Sequence, residues 1–210
     1  MINFAWLQSE TPLKRKLIFK YNLLEWCTGY QFRWHMPPAQ KPKAILTFDD
    51  GPLPNTPTIL EILHHYHLQA WFFMVGSRML AHPDIVNKVL SHGHVICSHA
   101  FHHGFAKNLS LSAFIQDVQK SMAVLKDMTG SSPKIFRPPN GSLNYLQIAW
   151  LLSKGFKIFY WSHQWFDDLI ESWPSILPAA PIVLLHDYDS NEAVEKGVKF
   201  VIEYNKKYME

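Results

Sequence analysis

The sequence predicts an α/β fold, a parallel sheet wound into a closed or nearly closed (β/α) barrel. Two observations predict it. From residue 44 onward, short apolar runs alternate with longer helical patterns, and strands separated by helices ask for parallel pairing with right-handed crossovers. Polar residues then fall at or just after the ends of the runs, at Asp49-Asp50, Ser98-His99, Arg137, Trp161 and His186. In parallel α/β architectures those C-terminal ends converge on one face, where sites are built.

The elements follow in order. Residues 1–42 read as an N-terminal extension, in which 13–26 mixes basic residues with Leu17, Ile18, Phe19, Leu23, Leu24 and Trp26. That pattern predicts a helix packed on the domain and leaves peripheral membrane contact open. Pro37, Pro38 and Pro42 punctuate the extension, and a single domain of residues 43–210 begins with a strand at 44–48. A helix is expected at 58–65, a strand at 70–75, a helix at 84–91 behind Pro83, and a short strand at 94–97. Phe114, Ile115, Val118, Met122, Leu125 and Met128 share one face of a helix over 112–128, which Thr129-Gly130 stops. Strands at 135–136, 157–160 and 182–185 and helices at 146–154 and 192–204 complete six strands.

Composition narrows the function. With 210 residues, 48% hydrophobic and 18% charged, the chain suits one ordered domain with a sizeable core. A net charge of +3 without a dense basic stripe or known module argues against nucleic acid as a partner. Cys27 and Cys97 lack the spacing of a thiolate zinc site and read as buried thiols. No run approaches a membrane span, and the first ten residues lack the pattern of a signal peptide, so the expected compartment is cytoplasmic.

Four constellations carry chemistry. In Thr47-Phe48-Asp49-Asp50-Gly51-Pro52, two adjacent carboxylates leave a buried strand. They repel each other, so both being present asks for a cation or strong donor nearby. In Ser98-His99-Ala100-Phe101-His102-His103-Gly104, histidines four apart would share one face of a helical turn and reach one ion; His102 offers the rival spacing of three. One Asp and two His leave open positions for water and substrate, as in a catalytic zinc site, although Fe(II) oxygenases use the same set. Arg137, ahead of Pro138-Pro139-Asn140-Gly141, can hold a carboxylate in a bidentate grip, and a backbone N–H near Asn140 can stabilise an oxyanion. The strand at 182–185 ends in His186-Asp187, where a histidine can protonate a leaving amine. A carboxylate from the preceding 161–168 loop could orient His186, and its Trp residues could stack on a sugar.

In this order and spacing, the motifs resemble the polysaccharide deacetylase family, also called carbohydrate esterase family 4 or the NodB homology domain, from about Lys43 to Asp187. The resemblance implies a distorted (β/α) barrel of about seven strands and a metal-dependent hydrolase that removes N-acetyl groups from an amino-sugar glycan. It assigns Asp49 as base, Arg137 as its brace, His186 as acid and Asp167 as the acid's supporting carboxylate. It assigns Asp50, His99 and His103 to one divalent metal, Zn²⁺ ahead of Co²⁺ or Ni²⁺, and implies an N-acetylated carbohydrate as partner. Ala100, Asn140 and Asp168 depart from the family pattern, which usually has Ser or Thr, Tyr, and Trp there. A carbohydrate-binding protein without catalysis and a deacylase of a non-sugar amide are the alternatives.

Overall fold

The computed structural model describes residues 32–33, 43–166, 169–172 and 180–209. Among them, one sheet holds nine strands: β1 Phe32–Arg33, β2 Ile45–Asp49, β3 Ala70–Met74, β4 Val95–Ser98, β5 Ile135–Phe136, β6 Lys157–Phe159, β7 His163–Phe166, β8 Leu169–Ser172 and β9 Ile182–His186. Their spatial order is β1-β6-β5-β4-β3-β2-β9-β7-β8. Every pairing is parallel except the last, the antiparallel β7–β8 hairpin. The sheet curls into an open, distorted barrel.

Among the described residues, six α-helices accompany these strands: α1 Thr56–His65, α2 Gly76–Ala81, α3 Pro83–Ser91, α4 Leu111–Thr129, α5 Tyr145–Ser153 and, after β9, α6 Asn191–Met209. Local chemistry fixes several ends. Ser110 caps α4 by accepting from Ala113 N at 3.2 Å, and Gly130 ends it at φ 70°, a left-handed conformation that glycine adopts without a Cβ clash. Asn144 and Gln147 form a reciprocal capping box on α5.

Strand side chains alternate between two buried faces, so the strands read as continuous apolar runs. On β2, Leu46 and Phe48 join the outer core beneath the helices. Ile45 packs with Phe73, Cys97, Phe159 and Ile182 in a separate, interior cluster. The same alternation turns Thr47 and Asp49 toward Arg137, which lies inside the barrel with no exposed surface. The curl of the sheet thus collects one polar column from strands far apart in sequence.

All six expected strands and five expected helices are present, with ends shifted by a few residues. The region after Trp161, expected to be a loop, carries the β7–β8 hairpin. The pair β1–β6 adds a strand from the extension, whereas the helix expected at 13–26 lies outside the described residues. No described helix is long and apolar enough to cross a membrane.

Candidate active site

The site opens at the C-terminal ends of β2, β4, β5 and β9. Asp49 closes β2 and Asp50 follows in the left-handed region at φ 74°, so the two carboxylates diverge instead of stacking. Gly51 has to be glycine because a Cβ there would run into the Asp187 carboxyl. Asp50's carbonyl accepts a hydrogen bond from Arg78 of α2, which fixes the turn from the other side.

Arg137 braces Asp49. Its Nη1 donates to Asp49 Oδ1 at 2.6 Å and to Thr47 Oγ1 at 2.8 Å, and its Nη2 donates to Tyr160 O at 2.9 Å. The guanidinium carbon lies 4.0 Å from the centre of the Phe73 ring. Burial pushes the Arg137 pKa down, and Asp49 pulls it back up.

His99 and His103 both turn their Nε2 atoms toward Asp50 Oδ1, at 3.5 and 2.7 Å. His99 donates from Nδ1 to Arg137 O at 2.9 Å, which fixes the tautomer and leaves the Nε2 lone pair facing Asp50. Asp50 Oδ1 is buried yet receives no hydrogen bond of proper direction. Burial alone would raise the Asp50 pKa, but His103 and His99, when protonated and donating, hold it well below the usual carboxylate range. Among the described residues, Asp50, His99 and His103 form the group whose ligand atoms converge, all lying within 4.8 Å of one another. A carboxylate oxygen without a donor, flanked by two imidazole nitrogens, is a donor set suited to a divalent cation with open positions for water and substrate.

One expectation about this pair is corrected. Residues 99–105 form a loop with Ala100 at φ 66°, not a helical turn. The rings still meet, with centroids 5.5 Å apart. His102 points away to the surface, where it pairs with Asp117 at 2.7 Å, so the spacing of four prevails over the spacing of three.

His186 ends β9 in register with Asp49 on the neighbouring strand. Its backbone N–H donates to Asp189 Oδ2 at 2.7 Å, and that oxygen lies 3.7 Å from its Nδ1. Tyr188 stacks on the imidazole at 4.7 Å. Burial lowers the His186 pKa, but Asp189 and the charges of Asp49 and Asp50 raise it by more, so the net shift is upward. Sequence reasoning missed Asp189, whose signal was its spacing of three after His186. Asp167 and Asp168 lie outside the described residues.

Asp49, Asp50, His99, His103 and His186 share one cavity of about 310 Å³. Trp161 and Leu184 supply apolar wall, and Asn140 and Gln164 supply amides. Asn140 sits at φ 56° in the turn behind Arg137, and the Trp161 ring packs so closely on Gly141 that a Cβ would come within 2.9 Å of it. A larger cavity of about 790 Å³ lies between the ends of α1 and α6, away from these groups.

The sequence profile described as polysaccharide deacetylase matches residues 36–159. The chain is 34% identical over 191 residues to a peptidoglycan-N-acetylglucosamine deacetylase of Bacillus cereus, spanning 85% of this chain and 88% of that protein. It is 30% identical over 176 residues to chitin deacetylase 2 of Saccharomyces cerevisiae, spanning 78% of this chain and about half (54%) of that one. A solved peptidoglycan N-acetylglucosamine deacetylase, in complex with 4-naphthalen-1-yl-N-oxidanyl-benzamide, superposes with a TM-score of 0.72 at 25% identity, covering 87% of this chain and 90% of that one.

Proposed function

This chain belongs to the polysaccharide deacetylase family, and from that premise we propose that it hydrolyses the N-acetyl group of an amino sugar within a glycan. The observation that carries the reading is the convergence of three functions in one cavity. These are a cation-ready Asp50–His99–His103 set, a carboxylate braced by Arg137, and a histidine in register beside that carboxylate.

Asp50, His99 and His103 would hold one divalent cation, Zn²⁺ ahead of Co²⁺ or Ni²⁺. Such an ion, when bound, polarises a carbonyl oxygen and makes water a better nucleophile near neutral pH. The chain's own residues do the rest. Arg137 occupies Asp49 Oδ1, which leaves Oδ2 to take the proton of the attacking water. His186, with its pKa raised, carries a proton for the departing amine nitrogen. Leu184 and Trp161 give the acetyl methyl an apolar wall. The relatives' names support this substrate class, since peptidoglycan and chitin both present N-acetylated amino sugars.

The test is acetate release from chitin oligosaccharides and peptidoglycan fragments with added Zn²⁺, Co²⁺ or Ni²⁺. The expected result is metal-dependent acetate release that chelation abolishes. Sugar binding with no acetate under any of the three ions would replace this reading with a carbohydrate-binding role. Release from simple acetylated amides alone would point to a non-sugar substrate.

A further inference from the structure

The loop that carries His103 has no helix to hold it, so its backbone bonds show what does. His99 N donates to Met74 O at 2.9 Å, tying the loop's start to β3. The carbonyls of Ala100 and Phe101 accept from Gly76 N and Ser77 N at 2.9 and 3.0 Å, both in the first turn of α2. The N–H groups of Phe101 and His102 turn the other way, onto one side chain. Asp117 of α4 accepts from Phe101 N at 2.8 Å through Oδ2 and from His102 N at 3.2 Å through Oδ1. The His102 imidazole closes the grip, donating from Nδ1 to Asp117 Oδ1 at 2.7 Å.

Position 100 gives this grip its importance. Ala100 is buried, left-handed and without a hydroxyl, so its side chain ties nothing down beside the two imidazoles. His103 is the least buried of the three converging residues, its side chain 28% exposed against 2% for His99 and 9% for Asp50. The backbone just before it therefore decides where its Nε2 lies. Asp117, only 11% exposed itself, holds that backbone from outside the cavity without lining it. A charged acceptor shared by two neighbouring N–H groups makes a stiff two-point clamp.

We propose that Asp117 and His102 form a clasp that positions His103, so that affinity for the divalent cation depends on a carboxylate outside the site. This rests on Asp50, His99 and His103 being the metal ligands. Partners that orient ligating groups typically change metal affinity by about 10–100-fold when removed. Asp117 is a positioning residue, and its loss should act on metal binding before chemistry.

The experiment is calorimetric titration of chelator-stripped full-length protein with Zn²⁺, for wild type, Asp117→Ala, Asp117→Asn and, as a control on the exposed face of the same helix, Asp127→Asn. Asp117→Ala should bind Zn²⁺ about 10–100-fold more weakly. Asp117→Asn, keeping one acceptor oxygen, should fall between, and Asp127→Asn should match wild type. Thermal melts of the metal-free proteins separate a misplaced loop from a lost fold. If Asp117→Ala melts early, Asp117→Asn carries the comparison. With saturating Zn²⁺, the Asp117→Asn turnover number should return to within about threefold of wild type. A folded Asp117 variant that binds Zn²⁺ as tightly as wild type would overturn the clasp. Wild-type protein that binds no Zn²⁺ would instead overturn the metal reading beneath it.

Discussion

Replacing Arg137 with alanine should be among the most destabilising single changes in this protein. The guanidinium has no exposed surface and donates to Asp49, Thr47 and Tyr160 O. Its removal leaves Asp49, itself only 4% exposed, without its nearest positive partner and strips Tyr160 O of a donor. Breaking a buried ion pair from one side costs about 3–5 kcal/mol, because the surviving charge stays desolvated. Against a usual total of about 5–15 kcal/mol, that is a fifth or more of the stability. With a urea dependence of about 2 kcal/mol per molar, the unfolding midpoint should fall by roughly 1.5–2.5 M. Tryptophan fluorescence in urea, on metal-free protein, measures this. The double variant Arg137→Ala/Asp49→Asn removes the orphaned charge and should recover about 1–3 kcal/mol relative to the single variant. An Arg137→Ala midpoint within about 0.5 M of wild type, or a double variant no better than the single one, would refute the reasoning.

Three further outcomes follow from the same geometry. Asp49→Asn should keep metal affinity within about threefold while lowering turnover by about 10²–10⁴, the usual worth of a general base; undiminished acetate release would remove Asp49 from that role. Asp189→Asn takes a negative charge from beside His186 and so lowers that imidazole's pKa. A general acid works while protonated, so the alkaline limb of the turnover-pH profile should move to lower pH; an unmoved limb would detach Asp189 from His186. Asp187 is fully buried against Gly51 and Thr56, and burial pushes its carboxyl up to about 7 from an ordinary 3.8. Between those values the folded chain keeps a proton that the unfolded chain releases, so this group's contribution to stability falls as pH rises from 3.8 to about 7 and is level above. Asp187→Asn should abolish that slope, so its stability relative to wild type should grow from pH 4 to pH 7. Parallel wild-type and variant curves would sink the assignment.

Much of the fold was legible because its signals are local. Apolar runs, the cap at Ser110 and the stop at Gly130 each depend on a few neighbouring residues, and those elements stand where they were expected. The short helix α2 and the β7–β8 hairpin were not read. α2 is six residues long, too short to show a helical period, and its N-terminal amides are spent on holding the loop after His99. In the site, the motif residues Asp49, Asp50, His99, His103 and His186 line one cavity because strand ends share one face in a parallel sheet. They did not reveal how His99 and His103 meet. A left-handed Ala100 does what a helical turn was expected to do, and alanine carries no sequence signal for that conformation.

The sequence alone determined the fold class and the residues that face the site, because strand and helix periodicity and strand-end placement are written into short stretches of chain. Tertiary structure decided which groups are partners. Arg137 reaches Asp49 across 88 positions, Asp117 reaches back 15 to choose between His102 and His103, and Asp187 fixes Gly51 from the turn after β9, 136 positions on. No local pattern encodes such pairs. They exist because sheet pairing sets Asp49 beside His186 and curls Phe136-Arg137 round to face them, and that register is settled only when the whole sheet closes on its cores.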